Sequence, residues 1–208
     1  MRNLGRSGRS AVVAAALGAG VAGTPFALPA QSASPHEAVR LEASEAYYAL
    51  PDSTLSGVIE RLNRTRLQGA GGQMSQGLTE YHIQPSWRPA GAGGRCRVSD
   101  LTLTVQVRIT LPSWPGGALR PADEQASWRT IEDAIRTHEY RHRDLTVHAA
   151  QSLAHNLEQL STRGCRALEQ AFAGEVALAD ERLAEAHAQL DRDTPARLSV
   201  GRKEGGSS

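Results

Sequence analysis

Residues 122–160 read ADEQASWRTIEDAIRTHEYRHRDLTVHAAQSLAHNLEQL. Trp128, Ile131, Ile135, His138, His142, Leu145, Ala149 and Leu153 recur at three- and four-residue steps, which predicts one long helix with a single stripe facing the rest of the protein. Midway along it, Thr137-His138-Glu139-Tyr140-Arg141-His142-Arg143-Asp144 contains H-E-x-x-H. On a helix, residues four apart lie about 40° apart around the axis and one turn along it. Both imidazoles can therefore address one ion from the same face, with Glu139 beside them. Zinc hydrolysis uses this set: two neutral nitrogen ligands, an open position for water, and a carboxylate that takes the water's proton. A lone histidine on an apolar stripe is most simply a hydrogen-bonded core residue. Two of them four apart, with a glutamate after the first, favour metal.

Downstream, Ser161 to Gly164 reads as a tight reversal, and a second helix is expected from Cys165 to about Leu190. Leu168, Phe172, Val176, Ala179, Leu183 and His187 form its inner stripe. Two long helices joined by a short turn should pack antiparallel. A catalytic zinc takes a third protein ligand. Reflecting the helix pair about residue 162 places 138–142 opposite roughly 182–186, near Asp180, Glu181, Glu185, His187 and Asp191. Glu181 and Glu185 read as solvated helix charges. His187, on the apolar stripe, is the preferred third ligand, and Asp191, where the helix should end, is the next candidate. His148 repeats a longer zinc-motif spacing, but Leu145 occupies the glycine position that would turn the chain back. On a continuous helix His148 lies about 240° round from His142, so it is set aside. His148 and His155 are expected on a polar face.

Upstream, Leu101, Leu103, Val105, Val107, Ile109 and Leu111 alternate with polar residues, the pattern of a strand with one buried and one wet face. Residues 38–50 are expected to form a first strand. A helix carrying Leu55, Val58, Ile59 and Leu62 should follow, capped by Asp52 or Ser53 and ending before Gly69. Gly77 to Arg88 reads as a second strand cut by Pro85, Pro89 to Gly94 as a turn, and Pro112 and Pro115 as the stop of the alternating strand. Tyr47, His82 and Trp87 are candidates for a substrate groove, with sheet-face packing as the plainer reading. The expected fold is α+β: a small antiparallel sheet packed against a long antiparallel helical hairpin that carries the metal motif.

The chain has 208 residues and a formal net charge of +1, which gives no electrostatic footprint for nucleic acid. Arg2, Arg6 and Arg9 precede an apolar run from Ala11 to Gly23, followed by Pro25 and Pro29. That is the layout of a cleavable secretory signal over residues 1–33, with a run too short to span a bilayer. The domain is then expected over 34–195, with a flexible tail over 196–208. Export places the protein in the periplasm or outside the cell, with no transmembrane segment after signal removal. Cys96 and Cys165 are the two cysteines, and in an oxidising compartment an isolated pair is most simply a disulfide. Closing a loop of that size contributes about 4 kcal/mol on the chain-entropy account.

The order of landmarks resembles one bacterial family. They are the Tyr47-Tyr48 strand, the capped helix, a glycine loop, Leu78-Thr79-Glu80-Tyr81, and Cys96-Arg97-Val98 opening an alternating strand. Leu111-Pro112-Ser113-Trp114, Trp128, the histidine motif, and Cys165 opening the last helix complete the series. The family is that of predicted secreted zinc-dependent proteases, a domain originally catalogued as of unknown function, and the resemblance runs from about residue 40 to 195. It implies a zincin-like fold, a bound zinc and a protein or peptide substrate. The family's ending resembles Tyr-Asp-x-x-Thr-x-His-Gly. Here Asp191 and Thr194 match, whereas Leu190, Ala196 and Arg197 stand at the tyrosine, histidine and glycine positions.

The expected function is therefore an exported zinc metallohydrolase, first of all a peptidase. Glu139 would be general base, and amide bonds of the cell wall are a further target class. The competing class is a non-catalytic envelope protein, binding a partner or holding a purely structural metal.

Overall fold

The computed structural model of the chain describes residues 38–65, 67–69 and 74–193. The expected signal over 1–33 and tail over 196–208 lie outside the described residues. The fold is mixed α and β, with one main sheet, a two-residue ribbon and three α-helices among the described residues. In chain order these are β1 (Val39–Ala49), α1 (Leu55–Arg64), β2 (Leu67–Gln68), β3 (Met74–Ser75), β4 (Leu78–Ala92), β5 (Arg95–Ser113), α2 (Ala122–Glu158), β6 (Ser161–Arg163) and α3 (Cys165–Asp193). A short 3₁₀ turn over Pro115–Leu119 links β5 to α2.

The alternating strand is the centre of the sheet. β5 has β1 on one side and β4 on the other, and β6 pairs with its first residues. Leu103, Val105, Val107, Ile109 and Leu111 are buried beneath the helices, while Gln106 and Arg108 face solvent. β4 and β5 form the expected antiparallel hairpin, but β1 runs parallel to β5, with Val39 opposite Leu103 and Ala49 opposite Ser113. The sheet is thus mixed, not antiparallel. Alternation reports that one face is covered, and a covered face says nothing about the direction of the neighbouring strand.

Prolines do less than expected. β4 runs through Pro85 and Pro89 to Ala92, because it is the sheet's edge and needs no donor on its outer side; the register slips between Ser86 and Arg88. The turn tightens to Gly93 and Gly94, whose φ of 59° and 78° suit glycine. β5 likewise passes through Pro112, two residues beyond Thr110, where its pairing with β4 ends. Thr54, not Asp52 or Ser53, caps α1: its hydroxyl accepts from the Gly57 amide at 3.2 Å. Asp52 is instead held by Arg61, and its carbonyl accepts the Trp114 indole N–H at 2.7 Å.

The core lies between the sheet and the helices: Val58 and Leu62 of α1, Trp128, Ile131, Ile135, Leu153 and Leu157 of α2, and Leu168 and Phe172 of α3. Each fully buried side chain of this size contributes about 1.5–3 kcal/mol relative to exposure. Past His142 the buried stripe of α2 drifts by one position, to Thr146 and Ala150 instead of Leu145 and Ala149. Cys96 and Cys165 form a disulfide with Cα atoms 5.0 Å apart, which pins the start of α3 to β5.

Candidate metal centre and cleft

The reversal after α2 controls what faces the histidine motif. It contains a short strand, β6, and turns at Gly164, whose φ of 79° only glycine adopts at ease. α3 then continues to Asp193, three residues past the expected end. The contacts His142–His187 and His138–Asp191 both centre between Gly164 and Cys165, so the two helices run in opposite directions with a register shifted from the reflection about 162. That shift decides which residues meet.

His138, His142 and Asp191 converge. The Nε2 atoms of His138 and His142 are 3.1 Å apart, and Oδ1 of Asp191 lies 3.2 Å from the first and 2.9 Å from the second. Tetrahedral zinc with bonds of roughly 2.0–2.1 Å holds its ligand atoms about 3.3 Å from one another, so the three donors stand close to the edges of such a site. Two imidazole nitrogens and one carboxylate oxygen are also a donor set that zinc favours. Both histidines are buried, and Nδ1 of His138 has no hydrogen-bond partner. Among the described residues this is the one cluster of three such side chains whose ligand atoms lie within 4.8 Å of one another.

Of the two candidates for a third ligand, it is Asp191 whose carboxylate oxygen lies with the Nε2 atoms of His138 and His142, while His187, the first choice from sequence, stands outside this group. His187 lies on the other side of His142: its Nδ1 is 2.7 Å from Nδ1 of His142, away from the Nε2 that meets Asp191. Tyr81 of β4 stacks on the His187 ring with centroids 4.6 Å apart. Glu181 and Glu185 are exposed, as are His148 and His155.

Glu139 is buried and turned toward β4. The Thr79 hydroxyl lies 2.8 Å from its Oε2 and donates to it. Gly77, just before β4, leaves the room that this carboxylate occupies: a Cβ there would sit 2.7 Å from Glu139 Cγ and Oε1 and 2.8 Å from Ile135 Cγ2. Burial, with Asp191 adding like charge, pushes the Glu139 carboxyl up to about 7 against the lowering effect of the Thr79 hydrogen bond. A cation at the neighbouring triad would pull it back down by opposite charge. Burial also lowers His142 and takes His187 down to about 4, helped in both by the neighbouring ring, so both are neutral imidazoles near pH 7. Neutral imidazole is the metal-ligating form.

Glu139, His142 and Asp191 open onto a cleft of about 370 Å³ between the start of β4 and the end of α3. Its remaining wall carries no carboxylate, lysine or arginine: Gly69, Gly77, Ala184 and Ala188 keep part of it low, while Leu78, Tyr81 and His187 supply its larger side chains. The three groove candidates lie elsewhere. Tyr47 is 52% exposed at the edge strand β1, His82 is on the open face of the sheet, and Trp87 stacks on Phe172 with centroids 4.3 Å apart.

A bacterial family described as "Bacterial protein of unknown function (DUF922)" matches residues 45–197, most of the chain and the whole of this site. The chain belongs to that family. No curated protein and no solved structure matches it. The family's description carries no activity, so a catalytic reading rests on the geometry of the cleft. Within that geometry, Thr79, Gly77, Tyr81 and Thr146 escaped sequence reasoning. Each acts through a contact between distant parts of the chain, and only Thr79 and Tyr81 fell inside a landmark of the family's ordered pattern.

Proposed function

We propose that the protein is an exported zinc-dependent hydrolase of the peptidase class, with His138, His142 and Asp191 as the metal ligands and Glu139 as general base. The observation that carries this reading is the convergence of three ligand atoms within 3.2 Å of one another beside a buried carboxylate, with Glu139, His142 and Asp191 lining one cleft. Zinc held there supplies Lewis acidity, polarising a substrate carbonyl and bringing the pKa of water at the site toward neutrality.

The protein's own residues do the rest. Glu139 takes the proton of the attacking water and passes it on to the leaving amine. The Thr79 hydroxyl holds Oε2, leaving Oε1 as the proton-accepting oxygen. Gly77, Ala184 and Ala188 keep the wall low enough for a peptide backbone to approach. Protein or peptide amides are the proposed substrates, with cell-wall amides as the further class. Export is supported by the Cys96–Cys165 disulfide, a bond at home in oxidising compartments, and by the charged and apolar order of residues 1–33. No helix of the described residues is long and apolar enough to cross a membrane.

A second reading, a structural metal, is favoured by one observation: the triad ties the middle of α2 to the last turn of α3. Glu139→Gln separates the two. The hydrolase should lose about 10²–10⁴-fold in peptide turnover while retaining about one zinc per chain by elemental analysis. Equal turnover by the variant and the parent would leave the structural reading in its place.

A further inference from the structure

His142 is engaged at both ring nitrogens. Nε2 faces the triad, while Nδ1 meets Nδ1 of His187 at 2.7 Å. The ring centroids are 4.9 Å apart and the planes differ by 24°. That centroid distance is close to the nitrogen separation plus the two ring radii, so the nitrogens meet nearly head-on in the ring planes. Two lone pairs cannot face each other at this distance, so one proton lies between them. If Nε2 of His142 is the ligand atom, its lone pair is committed and the proton is on Nδ1; His187 Nδ1 then accepts. The His187 proton is thereby placed on its Nε2, which lies 3.3 Å from the Thr146 hydroxyl oxygen. That hydroxyl, one turn along α2, donates in turn to the His142 carbonyl at 2.9 Å, and the circuit closes on the residue where it began.

We infer that His187 is a positioning residue: it accepts the Nδ1 proton of His142 and so presents the Nε2 lone pair to the cation. Thr146 fixes the tautomer of His187, and Tyr81, stacked at 21° to its ring, fixes its rotation. The role rests on the zinc reading above and replaces the expectation that His187 binds the metal itself. Only one of the two histidine ligands is oriented in this way, since His138 Nδ1 is buried without a partner. An imidazole acceptor is uncharged, so it orients the ligand without adding negative charge beside Asp191.

The test compares zinc affinity, by chelator competition, and the visible spectrum of the Co²⁺-substituted protein for the parent, His187→Ala and His187→Asn. Loss of the acceptor should weaken zinc binding about 10–100-fold. The cobalt band positions and intensities should be kept, because the ligand set is unchanged. The His187→Asn variant places an amide oxygen near the lost Nδ1 and should restore most of the affinity. The ¹⁵N shifts of the zinc-loaded parent give a readout free of any folding defect in the variants: the proton belongs on Nδ1 of His142 and on Nε2 of His187. A spectrum that loses a nitrogen ligand in His187→Ala makes His187 a ligand and overturns the inference, as does the opposite tautomer pair. Unaltered affinity in both variants overturns it while the zinc reading stands. A parent that binds neither zinc nor cobalt overturns both.

Discussion

At the β6 end of the α2–α3 pair, Leu157, Leu168 and Phe172 are sealed against the sheet, and the Cys96–Cys165 bond anchors α3. At the other end the same two helices meet through His138, His142, His187 and Asp191. The first end needs nothing further, since apolar surface is buried against apolar surface. The second brings two ring nitrogens and a carboxylate oxygen within 3.2 Å of one another, a crowd that protons can partly reconcile and a cation can reconcile fully. The fold therefore separates its own stability from its site: the sealed end holds the register, and the polar end uses it.

The largest effect should come from breaking the sealed end. Cys96→Ser with Cys165→Ser opens a 69-residue separation and should cost about 4 kcal/mol in a denaturant titration under oxidising conditions. Zinc affinity should change little, because no triad residue touches the disulfide. Affinity falling in step with stability would show that the two ends are one unit.

Metal removal tests the polar end and should be smaller. At free zinc 100-fold above its dissociation constant, binding contributes about 2.7 kcal/mol to the folded state. Chelation should remove that amount and quicken amide exchange over residues 183–193, leaving the turns after Cys165 protected. Uniform loss of protection along α3 would contradict a separation of ends.

The sealed end was also the more legible from sequence. Alternation on β5 and the stripes of α2 and α3 report burial directly, and Cys96 and Cys165 had only each other. The direction of β1 was not legible, because pairing direction leaves no mark on a strand's own alternation. At the polar end, H-E-x-x-H was plain because its geometry is local to one helix. Which residue joins the two histidines was not, since whether His187 or Asp191 meets their Nε2 atoms turned on a register offset of a few residues set by β6 and Gly164. Gly77 and Thr79 reach Glu139 from about 60 positions away, and no local pattern encodes such a contact.

Gly77 gives the smallest and sharpest test of that last point. Its Cα hydrogen stands where any other residue would push a Cβ on Glu139 Cγ and Oε1 at 2.7 Å and on Ile135 at 2.8 Å. Overpacking costs about 1–3 kcal/mol in general, and a middle value, about 2 kcal/mol, is expected for Gly77→Ala because the carboxylate end of Glu139 can swing but its Cγ and the buried Ile135 methyl must give way as well. Swinging takes Oε2 away from the Thr79 hydroxyl and the carboxylate away from the cleft, so turnover should fall about tenfold or more while zinc stoichiometry stays near one. A misplacement of about 1 Å is enough for a loss of that size in an oriented reaction. Metal loss without any further loss of turnover would instead tie Gly77 to the triad, and the division between a base held by the sheet and ligands held by the helices would fail.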